Sequence, residues 1–130
     1  MKHSEGFLKA VDDAKSRVRE VSAADTQQRM RENSDVKLID VREDKEWEAA
    51  HAAGAIHLGK GIIERDIETT VPDKDTEMIL YCGGGYRSAL AADSLQRMGY
   101  TNVFSMAGGW RAWQESGGKI EQSTDYTEGK

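Results

Sequence analysis

Glu77-Met78-Ile79-Leu80-Tyr81-Cys82-Gly83-Gly84-Gly85-Tyr86-Arg87-Ser88 passes from an apolar run, through three glycines, into the start of a helical pattern. Glu77 to Tyr81 has the length and apolarity of a buried strand. From Tyr86 to Met98, Leu90, Leu95 and Met98 fall on or near one helical face, and Gly99 supplies the stop. Asn102-Val103-Phe104-Ser105 follows as another short strand. A strand, a helix and a further strand in this order are one unit of a parallel sheet.

The alternation extends upstream. Val36 to Val41 reads as a short strand ending in charge, after a turn at Asn33-Ser34-Asp35. Ser22, with Asp25 three residues on, opens a capping box and a helix from Ala23 to about Glu32. Glu43 to Ala50 forms a short helix anchored by Trp47, Gly54 to Leu58 a loop with an extended piece, and Ile62 to Ile67 a further helix. Gly108-Gly109 leads into a last helix through Trp110-Arg111-Ala112-Trp113, stopped by Gly117-Gly118. Phe7, Leu8, Val11, Ala14 and Val18 share one face of an N-terminal helix. The pattern predicts an α/β fold with a central parallel β-sheet flanked by helices on both faces. Residues 21–118 form the domain, residues 1–20 an amphipathic helix packed on it, and residues 119–130 a polar tail, frayed from Glu121 onward.

The chain has 130 residues, enough for one domain. Its 38% hydrophobic and 32% charged residues mark a globular rather than a disordered chain. A formal charge of −5 argues against nucleic acid or an anionic membrane as the main partner. No apolar run reaches the roughly 20 residues of a membrane span, and the first residues lack a signal-peptide core. One cysteine makes neither an intrachain disulfide nor a multi-cysteine zinc site, and a reducing cytoplasm is the expected location.

That cysteine follows the buried strand directly. In parallel sheets reactive groups gather beyond the carboxyl ends of the strands. Gly83, Gly84 and Gly85 let the backbone turn so that successive N–H groups point inward, forming an anion-binding nest closed by a helix start. The field of such a nest stabilises negative charge on the Cys82 sulfur, the form in which a cysteine is a nucleophile. Tyr86 completes the loop. Arg87 is a cation in a first helical turn, where acids are preferred, which suits a role in holding an anion. Ser88 is open between a helix-start residue and a hydroxyl donor to sulfur.

Leu38-Ile39-Asp40-Val41-Arg42, the Gly54-Ala55-Ile56 loop, Tyr81-Cys82 with its glycine loop and Arg87-Ser88, and Gly108-Gly109-Trp110 together resemble the rhodanese homology domain. The pieces occur in that family's order over most of residues 20–116. The resemblance implies a rhodanese-like fold and a sulfurtransferase working by double displacement. Cys82 would take the sulfane sulfur of a small donor, thiosulfate or a persulfide, and pass it from a Cys82 persulfide to cyanide, a thiol or a protein acceptor. No metal or organic cofactor is needed. Two departures stand out. Many relatives carry Gly-His-Ile-Pro-Gly-Ala where this chain has Ala50-His51-Ala52-Ala53-Gly54-Ala55. Thiosulfate-using relatives place basic residues directly after the cysteine, where this chain has Gly83 and Gly84.

Asp40 and Arg42 are supporting residues, open between added positive potential and a structural ion pair. His51 and His57 lack the spacing and thiolate partners of a metal site. Trp47, Trp110 and Trp113 read as core and rim residues. Two rival functions remain. One is a sulfur carrier or interaction module with little turnover. The other is a cysteine phosphatase or arsenate reductase, whose loops place five residues between cysteine and arginine; here four separate Cys82 from Arg87.

Overall fold

A computed structural model describes residues 3–122. In chain order the elements are α1 (Glu5–Lys15), β1 (Arg19–Val21), α2 (Ala23–Glu32), β2 (Lys37–Asp40), α3 (Asp44–Ala49), β3 (His51–Ala52), β4 (Ile56–His57), α4 (Ile63–Thr70), β5 (Met78–Tyr81), α5 (Tyr86–Arg97), β6 (Val103–Met106), α6 (Gly109–Glu115) and β7 (Ile120–Glu121). Five strands form one sheet in the order β1-β6-β5-β2-β4, with every pairing parallel.

Side chains of a strand alternate between faces, and here both faces are covered. Met78 and Leu80 join Ile39, Ile63, Ile67, Ala92 and Leu95 in one core, beneath α4 and α5. Ile79 and Tyr81 join Leu38, Phe104, Met106 and Trp113 in the other, beneath α2 and α6. β5 is therefore buried along its whole length, which explains its uninterrupted apolar sequence. The structure has the expected α/β architecture, a parallel sheet between helical layers.

Helix caps follow the chemistry of the sequence. Ser22 Oγ accepts the Asp25 N–H at 2.9 Å, although the Asp25 carboxylate turns to Arg29 at 2.8 Å instead of completing a box. The reciprocal box sits at α3: Glu43 and Glu46 cap each other's backbone N–H groups. α1 packs on α5 with Val11 and Ala14 buried. Arg17 fastens its end to Asp93 of α5 through two bonds of 3.0 and 2.7 Å. Leu8, read as part of the buried face, is 38% exposed.

Three elements were not expected. β1 is a three-residue edge strand whose first two residues are exposed. β3 and β7 pair antiparallel, His51 opposite Glu121 and Ala52 opposite Ile120. Ile120 and Glu121 thus lie in a strand where the sequence suggests a polar tail, held by long-range pairing that a local pattern does not carry. The remainder of that tail, 123–130, lies outside the described residues.

Candidate active site

β5 ends at Tyr81 in the middle of the sheet, and Cys82 begins the turn into α5 beyond its carboxyl end. Cys82 is 1% exposed. Its Sγ accepts the Gly85 N–H at 3.1 Å and the Ser88 N–H at 3.3 Å. Ser88 Oγ lies 3.5 Å from the sulfur and 2.8 Å from Ser105 Oγ on the neighbouring strand β6. The start of α5 thus directs donors at one sulfur atom.

The three glycines are not equivalent. Gly85 has φ +101°, a left-handed conformation costly for other residues. Gly83 and Gly84 have no positive φ, and a Cβ on Gly84 would meet nothing within 4 Å. The turn therefore depends on Gly85, while Gly84 keeps space above the loop open. Among the described residues, the backbone donors to Sγ are those of Gly85 and Ser88.

A second glycine pair braces the loop from outside. The Trp110 N–H donates to the Cys82 carbonyl at 2.7 Å and the Arg111 N–H to the Gly83 carbonyl at 3.4 Å. This contact requires Gly109, where a Cβ would collide with the backbone of Cys82 and Gly83.

Cys82 lies at the floor of a cavity of about 820 Å³ whose rim includes Tyr86, Arg87, Glu46 and Arg111. Among the described residues the hydrogen bonds to the sulfur do not include one from Arg87. Its guanidinium bonds both oxygens of Glu46, at 3.1 and 3.3 Å. Burial opposes charge on Glu46, but hydrogen bonds from Arg87 and from the Glu43 backbone outweigh it and hold its pKa below the usual carboxylate range. An anion that binds Arg87 must therefore compete with a fixed carboxylate.

Asp40 and Arg42 lie apart from this cavity. Both are buried, and they pair through contacts of 2.8 to 3.1 Å. Arg42 also donates to the Ala50 carbonyl at 2.7 Å and lies over the Trp110 ring, 4.6 Å from its centroid. Its charge is neutralised where it sits, and the pair ties the end of β2 to α3 and α6. His51 and His57 turn ring nitrogens to the carbonyls of Trp47 and Arg42 and stack with the Trp47 ring. Among the described residues, no group of three or more His, Cys, Asp or Glu side chains is placed to hold a metal ion.

Sequence reading missed Glu46 and Arg111. Glu46 reaches the site only through tertiary packing, 41 residues from Arg87. Arg111 had a signal: the Gly108-Gly109 pair permits close backbone approach, which carries the first turn of α6 to the cavity.

A family model described as the rhodanese-like domain matches residues 22–116. The chain belongs to that family. The rhodanese-like chain is 33% identical over 97 residues, 75% of its length and 91% of the relative's, to YtwF of Bacillus subtilis, provisionally named a sulfurtransferase. It is 37% identical over 70 residues, 54% of its length and 67% of the relative's, to the thiosulfate sulfurtransferase PspE of Escherichia coli. It spans about half, 52%, of YrkF from Bacillus subtilis, provisionally named a sulfur carrier protein. Among solved structures, RPA3614 of Rhodopseudomonas palustris, a protein of unknown function described as a possible tyrosine phosphatase, superposes with a TM-score of 0.82 at 31% identity. That match covers 93% of this chain and 98% of the other. The polysulfide-sulfur transferase homodimer of Wolinella succinogenes gives 0.78 at 26% identity, covering 92% and 89%. Among the described residues no helix is long and apolar enough to cross a membrane.

Proposed function

We propose that this protein is a sulfurtransferase in which Cys82 carries sulfur as a persulfide. The observation that carries the reading is the buried Sγ at the cavity floor, held by the Gly85 and Ser88 N–H groups. In the first half-reaction the Cys82 thiolate attacks the sulfane sulfur of a donor such as thiosulfate. The donor's S–S bond breaks, sulfite leaves with its electron pair, and a Cys82 persulfide remains. In the second, an acceptor such as cyanide or a thiol takes the outer sulfur and the thiolate is restored. This is covalent catalysis in two displacements, and the loop donors stabilise the charge carried through both. Residues 21–118 form the catalytic domain in this reading, with α1 as an element packed onto it. A reducing cytoplasm suits a lone thiol of this kind. A protein sulfur acceptor fits the same chemistry. Mass spectrometry after exposure to several sulfane donors tests the reading. A gain of one sulfur atom on Cys82, reversed by a thiol, supports it, and no gain with any donor overturns it.

The phosphatase description of RPA3614 gives the rival a specific footing. Here four residues separate Cys82 from Arg87, and Arg87 is engaged by both oxygens of Glu46. A transferring phosphoryl group presents three equatorial oxygens, and their stabilisation needs donors around all of them. The protein is expected to turn over a sulfane donor faster than it hydrolyses an aryl phosphate. The reverse order in parallel steady-state assays would favour the rival.

The Glu46–Arg87 pair gives a further expectation. Glu46→Gln removes a negative charge from the cavity and releases Arg87. Arg87→Ala removes the cation. The two substitutions should move kcat/KM for thiosulfate in opposite directions, Glu46→Gln up and Arg87→Ala down, each by about tenfold on the scale of a charge-assisted hydrogen bond. A neutral organic trisulfide should respond much less. Equal responses to the charged and neutral donors would show that the pair supports the loop rather than selecting donors.

A further inference from the structure

The cavity over Cys82, about 820 Å³, falls in the range that takes drug-sized molecules and far exceeds what a thiosulfate or cyanide ion fills. One side of it is aromatic. The His3 ring lies 4.9 Å from the Tyr86 ring at 71°, Phe7 lies 6.1 Å from Tyr86 at 65°, and His3 and Phe7 are 5.2 Å apart. All three are partly exposed to the cavity. His3 and Phe7 precede the residues matched by the family model, 22–116: the start of α1 and the residue before its cap supply two rings of this wall, and α5 supplies the third, Tyr86. The rim also carries Arg111, exposed and in none of the ion pairs among the described residues. Arg87, by contrast, is occupied by Glu46.

The geometry points to a subsite for an organic thiol with an apolar or aromatic body and a carboxylate. The body rests against His3, Phe7 and Tyr86, and the carboxylate meets Arg111. The inference rests on the persulfide reading and names the acceptor class. The acceptor's thiolate attacks the outer sulfur of the Cys82 persulfide and forms a new S–S bond. The Cys82 S–S bond breaks, its electron pair returns to Sγ, and the acceptor departs as an organic persulfide.

The test compares 4-mercaptophenylacetate with 2-mercaptoethanol as acceptors from persulfide-loaded protein. Arg111→Gln should raise the ratio of their KM values about three- to fivefold, the scale of an exposed ion pair. Phe7→Ala should raise it about two- to tenfold, the scale of an aromatic contact. Phe7→Leu, which keeps α1 apolar, should fall between wild type and Phe7→Ala, separating a lost wall from a loosened helix. A ratio unchanged in Arg111→Gln and Phe7→Ala overturns the subsite. A second arm does not depend on sulfur transfer. The S-methyl ether, 4-(methylthio)phenylacetate, has no thiol to accept sulfur, and its binding is followed by NMR titration. Binding that weakens in both variants supports the subsite even if Cys82 never takes sulfur. Absence of binding to wild type overturns it even if Cys82 does.

Discussion

Cys82→Ser should lower sulfur transfer on the order of a thousandfold or more while leaving the fold nearly intact. The two side chains are close in size, and the serine hydroxyl can accept the same Gly85 and Ser88 N–H groups that now reach Sγ at 3.1 and 3.3 Å. A buried hydroxyl is costly only when it lacks hydrogen-bond partners, and these N–H groups together with Ser88 Oγ supply them. What disappears is the chemistry. A hydroxyl is a far weaker nucleophile and cannot hold a transferable sulfane sulfur. Neither Ser88 nor Ser105, both close by and fully buried, can substitute for the same reason. Steady-state turnover beside a thermal melt is the measurement. Substantial activity in a folded Cys82→Ser protein would remove Cys82 from the mechanism.

Gly109→Ala should be the most damaging small substitution outside the loop itself. Gly109 has φ +52°, and an added methyl group would collide with the Cys82 carbonyl and the Gly83 backbone. A left-handed backbone costs about 1–2 kcal/mol for an L residue, and forced overpacking about 1–3 kcal/mol. Together they predict a loss of about 3 kcal/mol and a melting point lower by roughly 10 °C. Relief of the collision must move the loop that carries Cys82. A shift of about 1 Å in a reacting group costs on the order of a hundredfold in rate. Gly84→Ala is the control, since its Cβ would stand in open space at an ordinary backbone conformation. Equal stability of the two variants would show that α6 does not brace the loop.

The parts of the fold legible in the sequence are those with local causes. β5 and α5 announce themselves because one is buried on both faces and the other carries apolar residues at helical spacing, with Gly85 marking the turn between them. β1 was illegible because an edge strand of three residues, two of them exposed, has no pattern to show. The pairing of β3 with β7 joins His51 to Glu121 and exists only in tertiary structure. At the site, Cys82 and its loop could be read from residue order. The direction of Arg87 could not, because it is set by Glu46 on a separate helix. Arg42, open between two roles in the sequence, takes the structural one, in a buried pair with Asp40 two residues away; what the sequence did not show is its further bond to the Ala50 carbonyl and its place over Trp110.

The depth at which the sulfur sits has a bearing on how cargo and carrier differ to an approaching molecule. The empty thiol is 1% exposed, so a bulky electrophile in solution finds little of it to attack. A persulfide would add an atom at the end of an S–S bond about 2 Å long, and one directed into the cavity would stand further from the floor. In the persulfide reading proposed above, loading would turn a concealed group into a presented one. On that reading, large oxidants and alkylating agents would be kept from the resting protein, while a large acceptor would meet the sulfur it is to receive without touching the atom that delivers it.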